Sequence, residues 1–220
     1  MYKAADLSDM EWVWEPGNES CPKPQAKHPP KGMGMFTDRK AAANVVEVCE
    51  YSMWCRIETG GDPVFVGECY FPHATNIQEH RKAWKEIRDV VERTRNMGHI
   101  VLMGEFNAHL GMNGDHRVDS AGKLMKEQLN AMRLHVVNGF KECRGRFTRE
   151  QEKKDTTERS TVDYVCVSSS LAGCVESLEI VEDKMGSDHK ALVLKLVNVE
   201  GAWSAIRAVR EVWKLEKIPH

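Results

Sequence analysis

Most of this chain is divided into short apolar runs that are rich in β-branched and aromatic residues and separated by turn-forming residues. Such runs predict β-strands, because strands are roughly four to eight residues long and are bounded by glycine, proline, asparagine or aspartate. Two of the runs flank residues 59–63 (TGGDP), which predicts an antiparallel connection. The predicted strands cover residues 45–48, 53–57, 64–70, 99–103, 135–138, 161–167, 175–181 and 191–197.

Two internal segments have apolar residues three or four positions apart, which is typical of amphipathic helices. The first covers residues 78–97, and the second, which Ser120 can cap, covers residues 121–133. The same spacing over residues 201–220 predicts a helical tail, packed on the domain or forming a linker. Residues 150–160 (EQEKKDTTERS) are predicted to form a charged loop. Many strands with few helices favour an α/β (α+β) layered sandwich.

Composition excludes several classes of protein. The chain has 220 residues with 41% hydrophobic and 29% charged residues, which excludes a wholly disordered or collagen-like chain. The net charge of −2 gives no general attraction to a polyanion, so any nucleic-acid contact must come from a local patch. No apolar run is long enough to span a membrane, and the first twelve residues contain no apolar signal segment. Seven cysteines without a CxxC pair predict reduced thiols in a nuclear or cytoplasmic protein.

Three short segments place acids, an amide or a histidine at the ends of predicted strands. Glu105 and Asn107 follow one strand and project from the same side, where they can orient a water and hold an anionic oxygen. Asp163 lies within an apolar strand, where a buried carboxylate needs a partner. Asp188 and His189 precede the last strand. A histidine oriented by a separate carboxylate, here Asp163, suits acid–base or electrophilic chemistry.

These segments also match a set of family strings in order and spacing. The string Gly-Asp-Phe-Asn corresponds to residues 104–107 (GEFN) in this chain. The string Ile-Asp-Tyr corresponds to residues 162–164 (VDY), and Ser-Asp-His corresponds to residues 187–189 (SDH). A strand ending in Tyr-x-Pro matches residues 70–72 (YFP), and a glycine-rich hairpin matches residues 31–35 (KGMGM). The chain therefore resembles the endonuclease/exonuclease/phosphatase superfamily, which includes DNase I, exonuclease III-type abasic-site endonucleases and the endonuclease domains of non-LTR retrotransposons.

The resemblance extends from about residue 31 to residue 197. Residues 107–111 (NAHLG) are typical of the retrotransposon branch, which includes proteins called craniofacial development protein 2-like. The resemblance implies a DNase I-like, four-layered sandwich of two mixed, largely antiparallel sheets with helices on the outer faces. It also implies an active site at one rim of the sheets that hydrolyses a phosphodiester of DNA with Mg²⁺ or Mn²⁺.

The resemblance carries functional roles over to six positions, which are Tyr70, Glu105, Asn107, Asp163, Asp188 and His189. It implies that Asp163 pairs with His189 and that His189 contacts the phosphate or transfers a proton. Asn107 and Tyr70 would contact phosphate oxygens.

The resemblance also implies a metal site and a DNA contact. Asp188 and Glu105 would bind the metal, and Glu105 stands where the family has an aspartate that orients the attacking water. The basic residues Arg144, Arg146 and Arg149 could contact the DNA backbone or belong to a solvated loop.

Two departures from the family pattern predict weak metal binding and low activity. The extra methylene of Glu105 displaces its carboxylate, and misplacement on that scale can lower a rate by about 10²-fold. The family also begins with a strand carrying an asparagine and a strand carrying a metal-binding glutamate, which we do not find before residue 31. We therefore expect an N-terminally truncated domain at residues 31–198, between an irregular proline-rich remnant (1–30) and the helical tail (199–220).

Three alternatives to a DNA endonuclease stay open at this point. The first is a catalytically inactive remnant with no defined ligand, and the second is a phosphatase of the same superfamily. The third, a zinc site built on His99, His109 and His116, is disfavoured because no cysteine or carboxylate lies at suitable spacing.

Overall fold

The fold was analysed in a computed structural model that describes residues 10–12, 33, 35–38, 41, 43–182, 186–199 and 206–208. The strands are β1 (Met10–Trp12), β2 (Phe36–Asp38), β3 (Ala43–Val48), β4 (Ser52–Ile57), β5 (Val64–Tyr70), β6 (His99–Glu105), β7 (Leu134–Val136), β8 (Cys143–Arg144), β9 (Arg149–Glu152), β10 (Thr157–Ser160), β11 (Asp163–Ser168), β12 (Val175–Ile180), β13 (Leu192–Leu196) and β14 (Ile206–Ala208). The helices are α1 (Ile77–Thr94), α2 (Ser120–Met132) and α3 (Ser169–Ala172), and a 3₁₀ turn covers Val137–Gly139.

The larger sheet has six strands in the order β3-β4-β5-β6-β11-β7. Strands β5 and β6 are parallel, whereas the other neighbouring pairs are antiparallel. A parallel pair needs a long crossover connection, and helix α1 provides it between β5 and β6. This crossover brings the C-terminal ends of β5 and β6 to the same edge of the sheet.

One face of the larger sheet packs against helices α1 and α2. Trp54 on β4 and Trp84 on α1 are fully buried in this layer. Gly67 on β5 leaves room for the indole of Trp54, because a Cβ at this position would lie 2.7 Å from the ring. Trp84 also stacks on Phe106, with ring centroids 5.7 Å apart, and this packing fixes the segment that follows β6.

The other face of the larger sheet packs against a second sheet of four strands in the order β14-β13-β12-β8. The core between the sheets contains Val101 and Val165 from the larger sheet, with Leu178 and Leu194 from the smaller one. The smaller sheet is also mixed, since β12 is parallel to β8 and antiparallel to β13. The predicted α/β (α+β) sandwich of two mixed, largely antiparallel sheets is therefore confirmed.

The structure corrects the prediction of a charged loop at residues 150–160. Strands β9 and β10 form an antiparallel hairpin here, with Glu150 opposite Arg159. The prediction was wrong because it relied on apolar, β-branched and aromatic runs, whereas a hairpin in contact with solvent is held by backbone pairing and by cross-strand charges. One such ion pair joins Lys153 to Glu158 at 2.6 Å.

Two other predicted elements differ in detail. Asp119, rather than Ser120, caps helix α2, because the Asp119 side chain accepts a hydrogen bond from the backbone N–H of Gly122. At residues 206–208 the structure has strand β14, which pairs with β13, where the apolar spacing predicts a helix. The rest of that tail lies outside the described residues, as does the proline-rich segment 15–34 apart from Met33.

All six cysteines in the described part of the chain are free, as expected, and Cys55, Cys69 and Cys166 are buried. None of the helices that the structure describes is long and apolar enough to cross a membrane.

Candidate active site

Three of the predicted site residues lie in one row across the larger sheet. Glu105 at the end of β6 pairs with Tyr70 at the end of β5 and with Asp163 at the start of β11. Met103 and Val165, which lie two positions along from Glu105 and Asp163 respectively, belong to the core between the sheets. Because side chains alternate along a strand, both carboxylates point to this same face, at the rim where the apolar core ends.

His189 joins the row from the segment that precedes β13. Its Nδ1 atom lies 2.9 Å from Oδ2 and 3.1 Å from Oδ1 of Asp163, and its Nε2 atom lies 4.0 Å from Oε2 of Glu105. Ligand atoms of all three residues lie within 4.8 Å of one another. The three side chains are only 8% to 11% exposed, so their charges interact with little screening by solvent.

Two buried side chains fix the start of β11 and therefore the position of Asp163. The hydroxyl of Thr148 accepts hydrogen bonds from the backbone N–H groups of Val162 and Asp163, both at 3.1 Å. Asn138 accepts from the N–H of Val165 at 2.9 Å and donates to the carbonyl of Asp163 at 3.2 Å. Sequence reasoning missed both residues, since a threonine or asparagine outside a motif gives no signal of such a role.

Gly104 fixes the register that aligns Glu105 with Tyr70. It adopts φ = +137°, and a Cβ at this position would overlap the carbonyl oxygen of Cys69 on β5. Only glycine adopts this backbone conformation without strain, and only glycine lets the two strands approach here. The backbone conformation and the close approach of β5 therefore require glycine at this position of the GEFN string.

Asn107 closes the loop that follows β6. Its backbone is left-handed, with φ = +45°, a conformation that asparagine tolerates better than most residues. Its side-chain Nδ2 donates to the carbonyl of Phe71 at 2.9 Å, and the N–H of Phe71 donates to the carbonyl of Glu105 at 2.8 Å. Asn107 is thus held beside the segment that follows Tyr70, at the same rim.

Asp188 lies next to His189 in the chain, but its carboxylate is paired with a different residue. Its Oδ2 atom accepts from Nε of Arg149 at 2.9 Å. Burial raises the pKa of Asp188, but the hydrogen bond from Arg149 and the charges of His189 and Arg149 outweigh burial and lower it. The group of candidate ligands within 4.8 Å contains Glu105 with Asp163 and His189. A metal-binding role for Asp188 stays a prediction.

Of the three predicted DNA-binding arginines, Arg144 and Arg146 are exposed, whereas Arg149 is half-buried beside Asp188. The guanidinium of Arg146 lies 5.5 Å from the ring centroid of Phe147, and that of Arg159 lies 6.0 Å from it. Two guanidinium groups therefore lie beside a loop that leads directly into Thr148.

A second hydrogen-bonded cluster, which sequence reasoning missed, lies between the loop after β6 and the start of β11. The buried carboxylate of Asp115 accepts from Nδ1 of His109 at 2.7 Å, from the N–H of Thr161 at 3.1 Å and from Nε of Arg117 at 3.0 Å. Burial alone would raise the pKa of Asp115, but these hydrogen bonds lower it to about 2.

The hydroxyl of Tyr164 reinforces this connection. It lies 2.7 Å from the carbonyl of Thr161 and 3.0 Å from that of Ala108, and it accepts from the N–H of Leu110 at 3.3 Å. Burial raises the pKa of this phenol. The tyrosine of the VDY string therefore ties the loop after β6 to the strand that carries Asp163.

The described part of the chain contains one group of three candidate metal ligands, and it does not include the histidines of the zinc alternative. His99 begins β6, at the end opposite Glu105, and contacts Ser170. His109 contacts Asp115 instead.

Comparison with known proteins identifies the class. Residues 64–193 match the family described as endonuclease-reverse transcriptase, which is more than half of the chain. The protein therefore belongs to this family of the endonuclease/exonuclease/phosphatase superfamily. No curated protein matches the chain.

Solved structures show the same fold. The endonuclease domain of TRAS1, a telomere-specific non-LTR retrotransposon, is 18% identical with a TM-score of 0.64, and the match covers 78% of each chain. The 3'-5' exonuclease NExo from Neisseria meningitidis is 13% identical with a TM-score of 0.54, over 67% of this chain and 65% of that one. A variant of the 3' phosphatase NExo from Neisseria, bound to a product DNA hairpin, is 12% identical with a TM-score of 0.55, over 70% of each chain.

Proposed function

We propose that this protein is a phosphodiesterase that nicks DNA with the help of Mg²⁺ or Mn²⁺, and that it derives from a retrotransposon endonuclease. The observation that carries the proposal is the convergence of Glu105, Asp163 and His189 within 4.8 Å at the rim of the two sheets. These residues come from three separate segments, and all three lie in strings that the superfamily uses. The structural likeness to the TRAS1 endonuclease domain supports the retrotransposon origin.

The chain's own residues supply the proton-transfer part of such a site. The carboxylate of Asp163 contacts Nδ1 of His189 with both of its oxygens, which fixes the ring and directs Nε2 toward Glu105. A histidine held in this way can donate a hydrogen bond to a phosphate oxygen or transfer a proton. Tyr70 and Asn107 lie at the same rim, and we propose that both contact phosphate oxygens.

The donor set fits a hard divalent cation. Mg²⁺ is bound in proteins by one or two carboxylates, with water and substrate phosphates completing its shell. Glu105 is the carboxylate for this purpose, because the oxygens of Asp163 lie within hydrogen-bonding distance of His189. Asp188 is the second ligand in our proposal. When bound, the cation would neutralise charge on the phosphate and lower the pKa of a coordinated water.

We propose that the activity is low. Glu105 stands at the position where the family has aspartate, and its longer side chain places the carboxylate differently relative to His189. A protein that folds but does not cleave would contradict the proposal and would correspond to the alternative of an inactive remnant.

A phosphatase acting on DNA ends is the second candidate function. The observation that favours it is the structural match to a 3' phosphatase bound to a product DNA hairpin. The same histidine and carboxylates would serve either reaction, because both hydrolyse a phosphoester. In either case we propose DNA as the partner and a nuclear or cytoplasmic location.

Nicking of supercoiled plasmid tests the proposal directly. We expect slow conversion to open circles with Mg²⁺ or Mn²⁺, none with EDTA, and none with His189→Ala. A duplex oligonucleotide with a 3' phosphate, assayed in parallel, distinguishes the phosphatase, which releases inorganic phosphate and leaves the plasmid intact. Equal cleavage by wild type and His189→Ala would show a contaminating nuclease and refute the assignment.

A further inference from the structure

We infer that His109 is a second phosphate-contacting histidine, which binds a non-scissile phosphate of the nucleic acid whose scissile phosphate lies at His189. The inference rests on the proposed function, which it deepens by adding a contact outside the group formed by Glu105, Asp163 and His189. Three observations support it: Asp115 holds the imidazole at Nδ1, Nε2 is left without a hydrogen bond in the described part of the chain, and Asp115 links His109 to the segment before Asp163.

The imidazole of His109 is held in the same way as that of His189. Its Nδ1 atom lies 2.7 Å from Oδ2 of Asp115, just as Nδ1 of His189 lies 2.9 Å from Oδ2 of Asp163. Asp115 is 4% exposed, so its carboxylate is a fixed acceptor. In both pairs a buried aspartate is hydrogen-bonded to Nδ1, which leaves Nε2 available for other chemistry.

The backbone of His109 is fixed as firmly as its side chain. Its N–H donates to Oδ1 of Asp119, the cap of helix α2, at 3.2 Å. Its carbonyl packs against Gly122 in the first turn of the same helix, where any Cβ would overlap it. The side chain of His109 is held at Nδ1, and its backbone is held at the N–H and at the carbonyl. The residue is therefore pre-organised, and a pre-organised donor loses little entropy when it binds a ligand.

In the part of the chain that the structure describes, Nε2 of His109 makes no hydrogen bond, and it is not one of the buried polar atoms that lack a partner. The side chain is 17% exposed. Nε2 is therefore the part of this ring that a ligand can reach. An imidazolium donates both N–H groups, so His109 can contact Asp115 and a phosphate oxygen at the same time.

The position of His109 is beside the candidate active site. It lies two residues after Asn107, and its partner Asp115 accepts the N–H of Thr161, two residues before Asp163. His109 is therefore linked through Asp115 to the segment that leads into Asp163.

The charges around His109 suit a polyanion. Arg117, which pairs with Asp115, is 59% exposed at its side chain and also donates to the carbonyl of Arg159 at 3.3 Å. The guanidinium groups of Arg159 and Arg146 lie near the ring of Phe147, whose N–H bonds the carbonyl of Asn113 in the loop that carries Asp115. Three guanidinium groups therefore surround this loop, and they favour a phosphate backbone over a neutral ligand.

Binding of a fluorescein-labelled duplex oligonucleotide in EDTA tests the inference without cleavage. His109→Asn keeps a nitrogen donor near the Nδ1 position, and so the contact with Asp115, but it removes Nε2. We expect it to weaken binding about tenfold at moderate salt, as for one hydrogen bond to a charged group. We also expect the dependence of log affinity on log salt to become shallower. His99→Asn, at the opposite end of β6, is the matched control and should bind as wild type does.

A second variant guards against an effect on folding. His109→Lys can contact a phosphate through its ammonium group, so binding should be retained in His109→Lys and weakened in His109→Asn. Equal binding by wild type and His109→Asn would overturn the inference. Loss of binding in both variants together with a lowered Tm would also overturn it, because His109 would then act only as a structural link.

Failure of the inference can be distinguished from failure of the proposed function. If wild type nicks plasmid but His109→Asn binds and nicks equally well, only the inference fails. If wild type does not nick plasmid, yet His109→Asn weakens oligonucleotide binding, the phosphate contact is supported and the nuclease proposal fails.

Discussion

Nδ1 of His189 lies 2.9 Å from Oδ2 of Asp163, although the two residues are 26 positions apart and lie in different segments of the fold. The contact joins the segment before β13, in the smaller sheet, to the start of β11, in the larger sheet. It therefore forms only when the two sheets pack together. A reaction that needs this contact therefore depends on the packing of the two sheets as well as on the two side chains.

Asp163→Asn should lower plasmid nicking while leaving the fold intact. Asparagine is nearly isosteric but uncharged, so it no longer stabilises a protonated His189. We expect the nicking rate to fall by about 10²- to 10⁴-fold, the usual contribution of positioned acid–base groups. Asp62→Asn, in the exposed turn before β5, is the control and should keep the wild-type rate. An unchanged rate in Asp163→Asn would remove this pair from the mechanism.

Glu105→Asp should raise the nicking rate. It restores the side chain that the family carries at this position and shortens the carboxylate by one methylene, so the gain could reach about 10²-fold. Glu105→Gln, which keeps the length but removes the charge, should instead raise the Mg²⁺ concentration needed for half-maximal rate. Glu92→Gln on the exposed side of α1 is the matched control. A slower Glu105→Asp would show that the fold has adapted to glutamate.

Gly104→Ala should strongly destabilise the protein. The added Cβ would overlap the carbonyl of Cys69, and φ = +137° is strained for alanine. We expect the free energy of unfolding to fall by at least about 3 kcal/mol in urea titrations. Gly173→Ala is the control, since a Cβ there meets nothing within 4 Å, and its stability should change by less than about 1 kcal/mol. Similar stabilities of the two variants would contradict the register described for β5 and β6.

Asp115 should make stability depend on pH in the acid range. Its folded-state pKa is about 2. The unfolded value is about 3.9, so ionised Asp115 contributes about 2 to 3 kcal/mol above pH 4 that is lost as the pH falls from about 4 toward 2. The stability difference between wild type and Asp115→Asn, measured by urea unfolding, should therefore shrink below about pH 4. A difference that stays constant as the solution is acidified through this range would contradict the low pKa.

The strands and the principal helices could be predicted from sequence because their signals are local. Short apolar runs define β5, β6 and β11, and apolar residues at helical spacing define α1 and α2, without reference to distant parts of the chain. The β9–β10 hairpin could not be predicted in this way, since its strands bury little apolar surface. Its pairing depends on the backbone and on pairs such as Lys153–Glu158.

The sequence by itself determined the order of the family strings, and hence which carboxylates, amide and histidine are candidates for catalysis. Only the tertiary structure decided which of them meet: Glu105, Asp163 and His189 form one group, while the carboxylate of Asp188 pairs with Arg149. It also revealed the supporting contacts of Thr148 and Asp115. The physical reason is that strand signals are encoded within a few neighbouring residues, whereas contacts between distant segments depend on strand register and on how the two sheets pack.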